Sequence, residues 1–144
     1  MENQDTVKLL KECDAGTKMA VSSIDEVLES VCDTEMKGLL QESKAHHEKL
    51  ENDICSKLKE HNACEKEPSV IAKGMSWMKT NMKMTMDNSD STVADLITDG
   101  CNMGVKTLNR YMNQYKAADA ESKATCEKLI SIEEKLGKDL RKYL

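Results

Sequence analysis

Residues 34–61 have the sequence TEMKGLLQESKAHHEKLENDICSKLKEH, and this stretch decides the fold. Its apolar residues recur every three or four positions, which places them along one face of a helix. That face consists of Met36, Leu40, Leu50, Ile54 and Leu58. His47 falls on the same face, near its middle. A long amphipathic helix must bury its apolar face against other elements, so the stretch predicts a packed helical protein.

The composition of the whole chain also favours helices. A length of 144 residues predicts one domain spanning residues 1–144. Aromatic residues make up only 3% of the chain, which disfavours a β-sandwich or barrel, whereas ten Met and a single Pro suit helices. Acidic and basic residues are interleaved, the net charge is −5 and there is no basic stripe. We therefore expect no nucleic-acid partner.

The location of the protein is predicted from its N-terminus and its hydropathy. The first residues, MENQDTVKLL, lack a basic segment followed by an apolar run, and no stretch approaches the ~20 apolar residues of a membrane span. We therefore expect a cytoplasmic protein with no membrane partner. In a reducing cytosol the six cysteines act as small apolar side chains, with Cys32 and Cys64 the most exposed because they lie near helix ends.

The periodicity predicts two helical hairpins. The first helix covers residues 6–32, and Asp33 suits the N-cap of the second, residues 34–61, after a turn short enough to force antiparallel packing. A third long helix begins near Thr92, and a fourth follows Asp119 and runs to the C-terminus. The expected apolar face of the first helix is Val7, Leu10, Cys13, Val21, Ile24, Leu28 and Val31.

The connector between the hairpins is long and carries a further apolar stripe. Residues 62–68 interrupt the pattern at Pro68, and the stripe then follows as Ile71, Met75, Met78, Met82 and Met86. A connector of this length can run from one end of a bundle to the other, which is the ferritin-like topology. The predicted fold class is therefore an all-α, ferritin-like four-helix bundle with a long crossover that contains an additional helix.

Two further features predict close contacts. Gly100 and Gly104 form a G-x-x-x-G pair, and each glycine costs up to about 1 kcal/mol of helix propensity, so we expect a helix or a bulky side chain to approach there. Trp77 and Met84 lie opposite the methionine stripe on the connector helix. If the core of the chain leaves them uncovered they form an apolar patch, and a homodimer would bury it.

A polar layer is predicted at the waist of the bundle. Glu133 interrupts the last apolar face, which consists of Leu129, Leu136 and Leu140. In an antiparallel hairpin the numbers of facing residues have a constant sum, so Thr17 lies level with His47 and Gly104 lies level with Glu133. Ser43 is one turn from His47. A buried ionisable side chain needs a partner, so we predict that His47 and Glu133 meet directly or through one water.

This layer has two interpretations, a buried hydrogen-bonded pair supported by Thr17 and Ser43, or part of a metal site. Carboxylate-bridged two-metal bundles use one Glu from each of two helices and Glu-x-x-His from each of the other two. Here Lys44 precedes His47 by three residues, and Thr17 and Gly104 stand where other helices would supply carboxylates. A complete two-metal centre is therefore not expected. A single iron, manganese or zinc ion held by His47, Glu133 and water is the alternative.

Several segments together resemble a family of uncharacterised ferritin-like proteins from anaerobic Gram-positive bacteria. The segments are LLKECDAGTKMAV, ESKAHHEKLENDICSKL, IAKGMSWMKTNMKM, DLITDGCNMGVKTLNRYMNQYKAADAESK and KLISIEEKLGKDLRKYL, which cover nearly the whole chain. The resemblance implies a ferritin-like bundle in a bacterial cytoplasm and brings no assigned activity. The iron ligands of true ferritins do not carry over, because their Glu-x-x-His motifs are absent here.

The leading functional hypothesis is a non-enzymatic helical-bundle protein with an interaction or stress-related role. It depends on the missing carboxylates and on the lack of a nucleophile motif or a phosphate-binding loop. No catalytic residue and no organic cofactor is predicted. The alternative is a metal-binding protein with weak oxidase-type chemistry, in which His47 and Glu133 hold iron, manganese or zinc.

Overall fold

The computed structural model describes residues 4–63 and 89–144, and these residues form a four-helix bundle. The helices are α1, Gln4–Leu28; α2, Thr34–Glu60; α3, Asp90–Gln114; and α4, Ala120–Asp139, after which a short 3₁₀ helix covers Arg141–Tyr143. No strand occurs within these two ranges, so the predicted all-α four-helix bundle is confirmed. The predicted connector helix, Cys64, Trp77 and Met84 lie outside the described residues.

Side-chain caps begin three of the helices. The Asp33 carboxylate accepts a hydrogen bond from the backbone N–H of Met36 at 2.8 Å, which confirms the predicted N-cap. Ser89 and Asp119 cap α3 and α4 in the same way. Two predicted helix ends were wrong. α1 stops at Leu28, before Cys32, and α4 stops at Asp139, where the chain tightens into the 3₁₀ turn.

The buried face of α1 differs from the predicted one. Leu10, Cys13, Ile24 and Val31 are buried as expected, but Val7, Val21 and Leu28 are only half-buried. Leu9 and Val27, which the prediction left out, are completely buried. The reason is that α1 packs against all three other helices, so its buried stripe is wider than the stripe of a helix with two neighbours.

The relative directions of the helices follow from contacts at the two ends. The Asp90 carboxylate accepts hydrogen bonds from the backbone N–H groups of Cys32 and Asp33 at 2.8 and 2.9 Å, so α3 begins where α1 ends. The Thr6 hydroxyl accepts one from the N–H of Asp119 at 2.8 Å, so α4 begins where α1 begins. α1 and α4 are therefore parallel, and α2 and α3 run in the opposite direction.

Within residues 4–63 and 89–144, the core consists of two apolar clusters with a polar waist between them. One cluster surrounds Ile24, Met36 and Leu140 at the end of the α1–α2 turn, and the other surrounds Leu10, Ile54 and Leu129 at the opposite end. His47 and Glu133 belong to neither cluster. Cys13, Cys101 and Cys126 are buried like apolar side chains, and Cys32 is exposed as predicted. None of the described helices is long and apolar enough to span a membrane.

Candidate functional site at the waist of the bundle

The predicted contact between His47 and Glu133 is confirmed. His47 Nε2 lies 3.0 Å from Glu133 Oε1, and the bond joins α2 to α4. The imidazole is completely buried, and Glu133 is 8% exposed. The two side chains meet because each stands on the apolar stripe of its helix, at the level where the stripes face each other. The contact lies between the two apolar clusters, where burying a charged group destabilises the protein unless the group is paired.

The backbone of α2 fixes the proton position on the His47 ring. Nδ1 lies 2.8 Å from the carbonyl oxygen of Ser43, which can only accept a hydrogen bond, so Nδ1 carries a hydrogen. The Ser43 hydroxyl is 3.4 Å from the same nitrogen. The bond from Nε2 to Glu133 then needs one further proton. That proton makes either an imidazolium facing a carboxylate or an imidazole facing a carboxylic acid, and the pair is neutral in both cases.

The pKa of His47 is raised above 6.5. Burial acts in the opposite direction, because it penalises the charged ring, and burial is the largest single effect. The hydrogen bond and the negative charge of Glu133, together with the Ser43 carbonyl, outweigh burial. A group whose pKa is raised on folding stabilises the protein fully below its unfolded pKa, and this stability is lost as the pH rises through its folded pKa.

The contribution of His47 to the pH dependence of stability is expected to have opposite slopes in the wild-type protein and in Glu133→Gln. In the wild-type protein, the stability that His47 contributes decreases as the pH rises above 6.5 through its raised folded pKa. In Glu133→Gln the negative charge is gone and burial lowers the pKa of His47, so its contribution to stability grows as the pH rises towards 6.5. Urea unfolding at each pH measures the difference in the free energy of unfolding between the two proteins. The contributions of His46 and His61 are the same in both proteins and cancel in this difference. Parallel curves for the two proteins would contradict the pairing.

Gly104 provides the space that the Glu133 side chain occupies. A Cβ atom built on Gly104 would lie 3.6 Å from Cδ and 3.7 Å from Oε2 of Glu133. The expectation of a bulky neighbour is thus confirmed at Gly104, but not at Gly100, where such an atom would meet nothing within 4 Å among the described residues. Thr17 is buried as predicted but does not support the pair, because its hydroxyl donates to the carbonyl oxygen of Asp14 at 2.8 Å.

Comparison of the chain with protein-family models, curated proteins and solved structures finds no match. The function must therefore be inferred from the geometry of this chain. Within residues 4–63 and 89–144, no three or more His, Cys, Asp or Glu side chains are grouped to hold a metal ion. The two side chains predicted as metal ligands, His47 and Glu133, are placed together, but among the described residues no third side chain of these types is positioned to hold an ion with them.

Cys101 also belongs to the site and was not predicted from the sequence. Burial raises the pKa of its thiol, and the Glu133 carboxylate raises it further by its charge and by accepting a hydrogen bond from the thiol. Cys101 is therefore a protonated donor to Glu133 at neutral pH. Its position in the sequence indicates this placement, since Cys101 precedes Gly104 by three residues and so shares its helix face.

Asp14 is a second missed residue, on the side of α1 that faces α2. Its side chain is completely buried, bonds Lys18 Nζ at 2.8 Å, and accepts from the Cys55 thiol at 3.7 Å. The spacing from Asp14 to Lys18, four residues on a helix, was the signal. It was overlooked because the buried stripe of α1 is wider than predicted.

Gly104→Ala is expected to raise the free energy of unfolding by about 0.5–1 kcal/mol. The added methyl group reaches Glu133 at ordinary contact distance, so alanine brings its better helix propensity without a clash. Thermal or urea unfolding measures the change. Gly38→Ala is the matched control, because a Cβ atom there meets none of the described residues within 4 Å. Destabilisation by Gly104→Ala alone would mean that Glu133 cannot shift and that the layer is tighter than described.

Proposed function

We propose that this protein is a non-enzymatic helical-bundle protein with an interaction or stress-related role, and that His47 and Glu133 hold its waist together. One observation carries the proposal. Both ring nitrogens of His47 already bond to the protein, one to the Ser43 carbonyl and one to Glu133. A general base or a nucleophile must present a reactive atom to a substrate, whereas this imidazole uses both of its nitrogens internally.

The helix directions support a ferritin-like topology. α2 ends at the end of the bundle where α1 begins, whereas α3 begins at the opposite end, and residues 64–88 join these two points in the sequence. One long connection between two hairpins is the arrangement of ferritin-like bundles. Membership of the ferritin-like family that the sequence resembles is proposed on the same basis.

Metal binding is the second candidate, and the placement of an imidazole nitrogen beside a carboxylate oxygen favours it. Neighbouring ligands about 2.1 Å from an octahedral ion lie about 3 Å apart, so the 3.0 Å between His47 Nε2 and Glu133 Oε1 would suit such an ion without movement, whereas tetrahedral zinc would need about 3.4 Å. Iron, manganese or zinc bound there would need ligands other than His, Cys, Asp or Glu side chains of the described residues, such as water. Weak oxidase-type chemistry would be the activity of this candidate.

Metal analysis of protein purified without a histidine tag separates the two candidates. Under the proposed function, iron, manganese and zinc are each far below one equivalent, and His47→Ala does not change their content. One equivalent of any of them in the wild-type protein, lost in His47→Ala, would overturn the proposal and support the metal site. Lys49→Ala, an exposed change on the same helix, is the control.

A homodimer remains part of the proposal. It depends on Trp77 and Met84, which lie outside the described residues, so their patch is known from the sequence alone. Light scattering is expected to give twice the chain mass of 16.1 kDa. Trp77→Lys should shift the protein towards the monomer, and a wild-type monomer with a fluorescence spectrum typical of a buried tryptophan would contradict this prediction.

A further inference from the structure

A cavity of about 540 Å³ lies between α1 and α3, with α4 as its floor. It exists because both walls carry small residues where helices normally interdigitate. These residues are Ala15, Gly16 and Ala20 on α1, and Gly100, Gly104 and Thr107 on α3. The floor is formed by Leu129, Glu133 and Leu136. Pockets of this size with mostly apolar walls and a few polar groups are typical sites for small molecules.

The described residues that line the cavity include carboxylates but no cation, and His47, which shares a proton with Glu133, lies outside this lining. Its carboxylates are Glu133 in the floor and Glu12 in the α1 wall, and no Lys, Arg or His is among the described residues that line it. Tyr111, also in the lining, hydrogen-bonds to Glu12, and burial together with this carboxylate raises the pKa of Tyr111 to about 12.

Glu133 presents its second oxygen towards the cavity. Oε1 faces His47, whereas Oε2 lies beside Gly104, which has no side chain to cover it. The Cys101 thiol donates to the same carboxylate from the cavity wall. A ligand entering the cavity thus meets apolar side chains first and an oxygen acceptor at the floor.

We propose that the cavity between α1 and α3 binds a small lipophilic amine, with its ammonium group at Glu133 Oε2 and its hydrocarbon part between the two helices. Charge complementarity selects this class, since a carboxylate ligand would be repelled by Glu12, would meet only the acceptor oxygen of the His47–Glu133 pair and would find no cation in the described lining, whereas an ammonium group can donate to that oxygen. An alcohol can donate to Glu133 but gains no charge attraction. The proposal extends the interaction role to a chemical class of ligand.

Three probes of one chain length test the head-group preference: octylamine, octan-1-ol and octanoate, titrated into the full-length protein by calorimetry and ligand-observed NMR. Octylamine is expected to bind at least about tenfold more tightly than octanoate, with octanol between them. Glu133→Gln should remove most of the advantage of the amine over the alcohol while binding of the alcohol persists. Equal affinity for amine and octanoate, or no binding of any probe, would overturn the proposal.

Two glycine variants locate the site independently of Glu133. Gly100 lines the cavity and Gly38 does not, yet a Cβ atom at either position meets nothing within 4 Å in the part of the chain that the structure describes. Gly100→Leu should therefore weaken octylamine binding at least about tenfold, whereas Gly38→Leu should leave it unchanged. Equal binding by the two variants would place the amine elsewhere. The two results are read separately: a stoichiometric metal lost in His47→Ala refutes the proposed function, whereas equal octylamine binding by the two glycine variants refutes the amine site.

Discussion

Glu133→Leu is expected to lower the free energy of unfolding by about 1–3 kcal/mol, and Glu133→Gln by clearly less. Leucine leaves the fully buried His47 Nε2 without its partner, whereas the amide of glutamine can still donate a hydrogen bond to a neutral imidazole. Urea unfolding at neutral pH measures both variants. Equal stability of the leucine and glutamine variants would show that Glu133 does not hold the imidazole in solution.

The double variant His47→Leu/Glu133→Leu is the control for this prediction. Removing both partners leaves no unpaired ionisable group, so the double variant should be more stable than Glu133→Leu alone. If the stability lost in the double variant equals the sum of the losses in the two single variants, the side chains are not coupled. The lost stability then comes from poor packing of leucine at each position.

Asp90→Ala is expected to lower the free energy of unfolding by about 1–2 kcal/mol. The Asp90 carboxylate accepts hydrogen bonds from the backbone N–H groups of Cys32 and Asp33, and so fixes the α1–α2 turn to the first turn of α3. These bonds are exposed to solvent, so water replaces part of what the variant loses.

Asp90→Asn keeps one acceptor oxygen and should lose about half as much stability as Asp90→Ala. Asp99→Ala, an exposed change on the same helix, is the matched control and should be close to neutral. Hydrogen exchange at the N–H groups of Cys32 and Asp33 should become faster in Asp90→Ala. Protection equal to the wild-type protein would mean that this carboxylate does not hold the turn.

The candidate site could be predicted because both of its residues interrupt a regular pattern. His47 and Glu133 each replace an apolar residue on a stripe with a spacing of three and four, and antiparallel packing makes their levels calculable. The predicted buried face of α1 was wrong, because the number of helices that pack against α1 cannot be read from its own periodicity. The α1 stripe is wider than that of a two-neighbour helix, so Leu9, Asp14 and Val27 were missed.

The sequence by itself determined the four helices, the cap at Asp33 and the meeting of His47 with Glu133. The helices and the cap follow from hydrogen bonding and periodicity among residues close together in the chain, and the contact follows because antiparallel packing brings the two interrupted stripes to the same level. Only the tertiary structure decided which nitrogen of His47 faces Glu133, that Asp90 fixes the turn before α2, and that Gly100 opens onto a cavity. These depend on distances between helices, which are set by packing side chains from three or four segments at once.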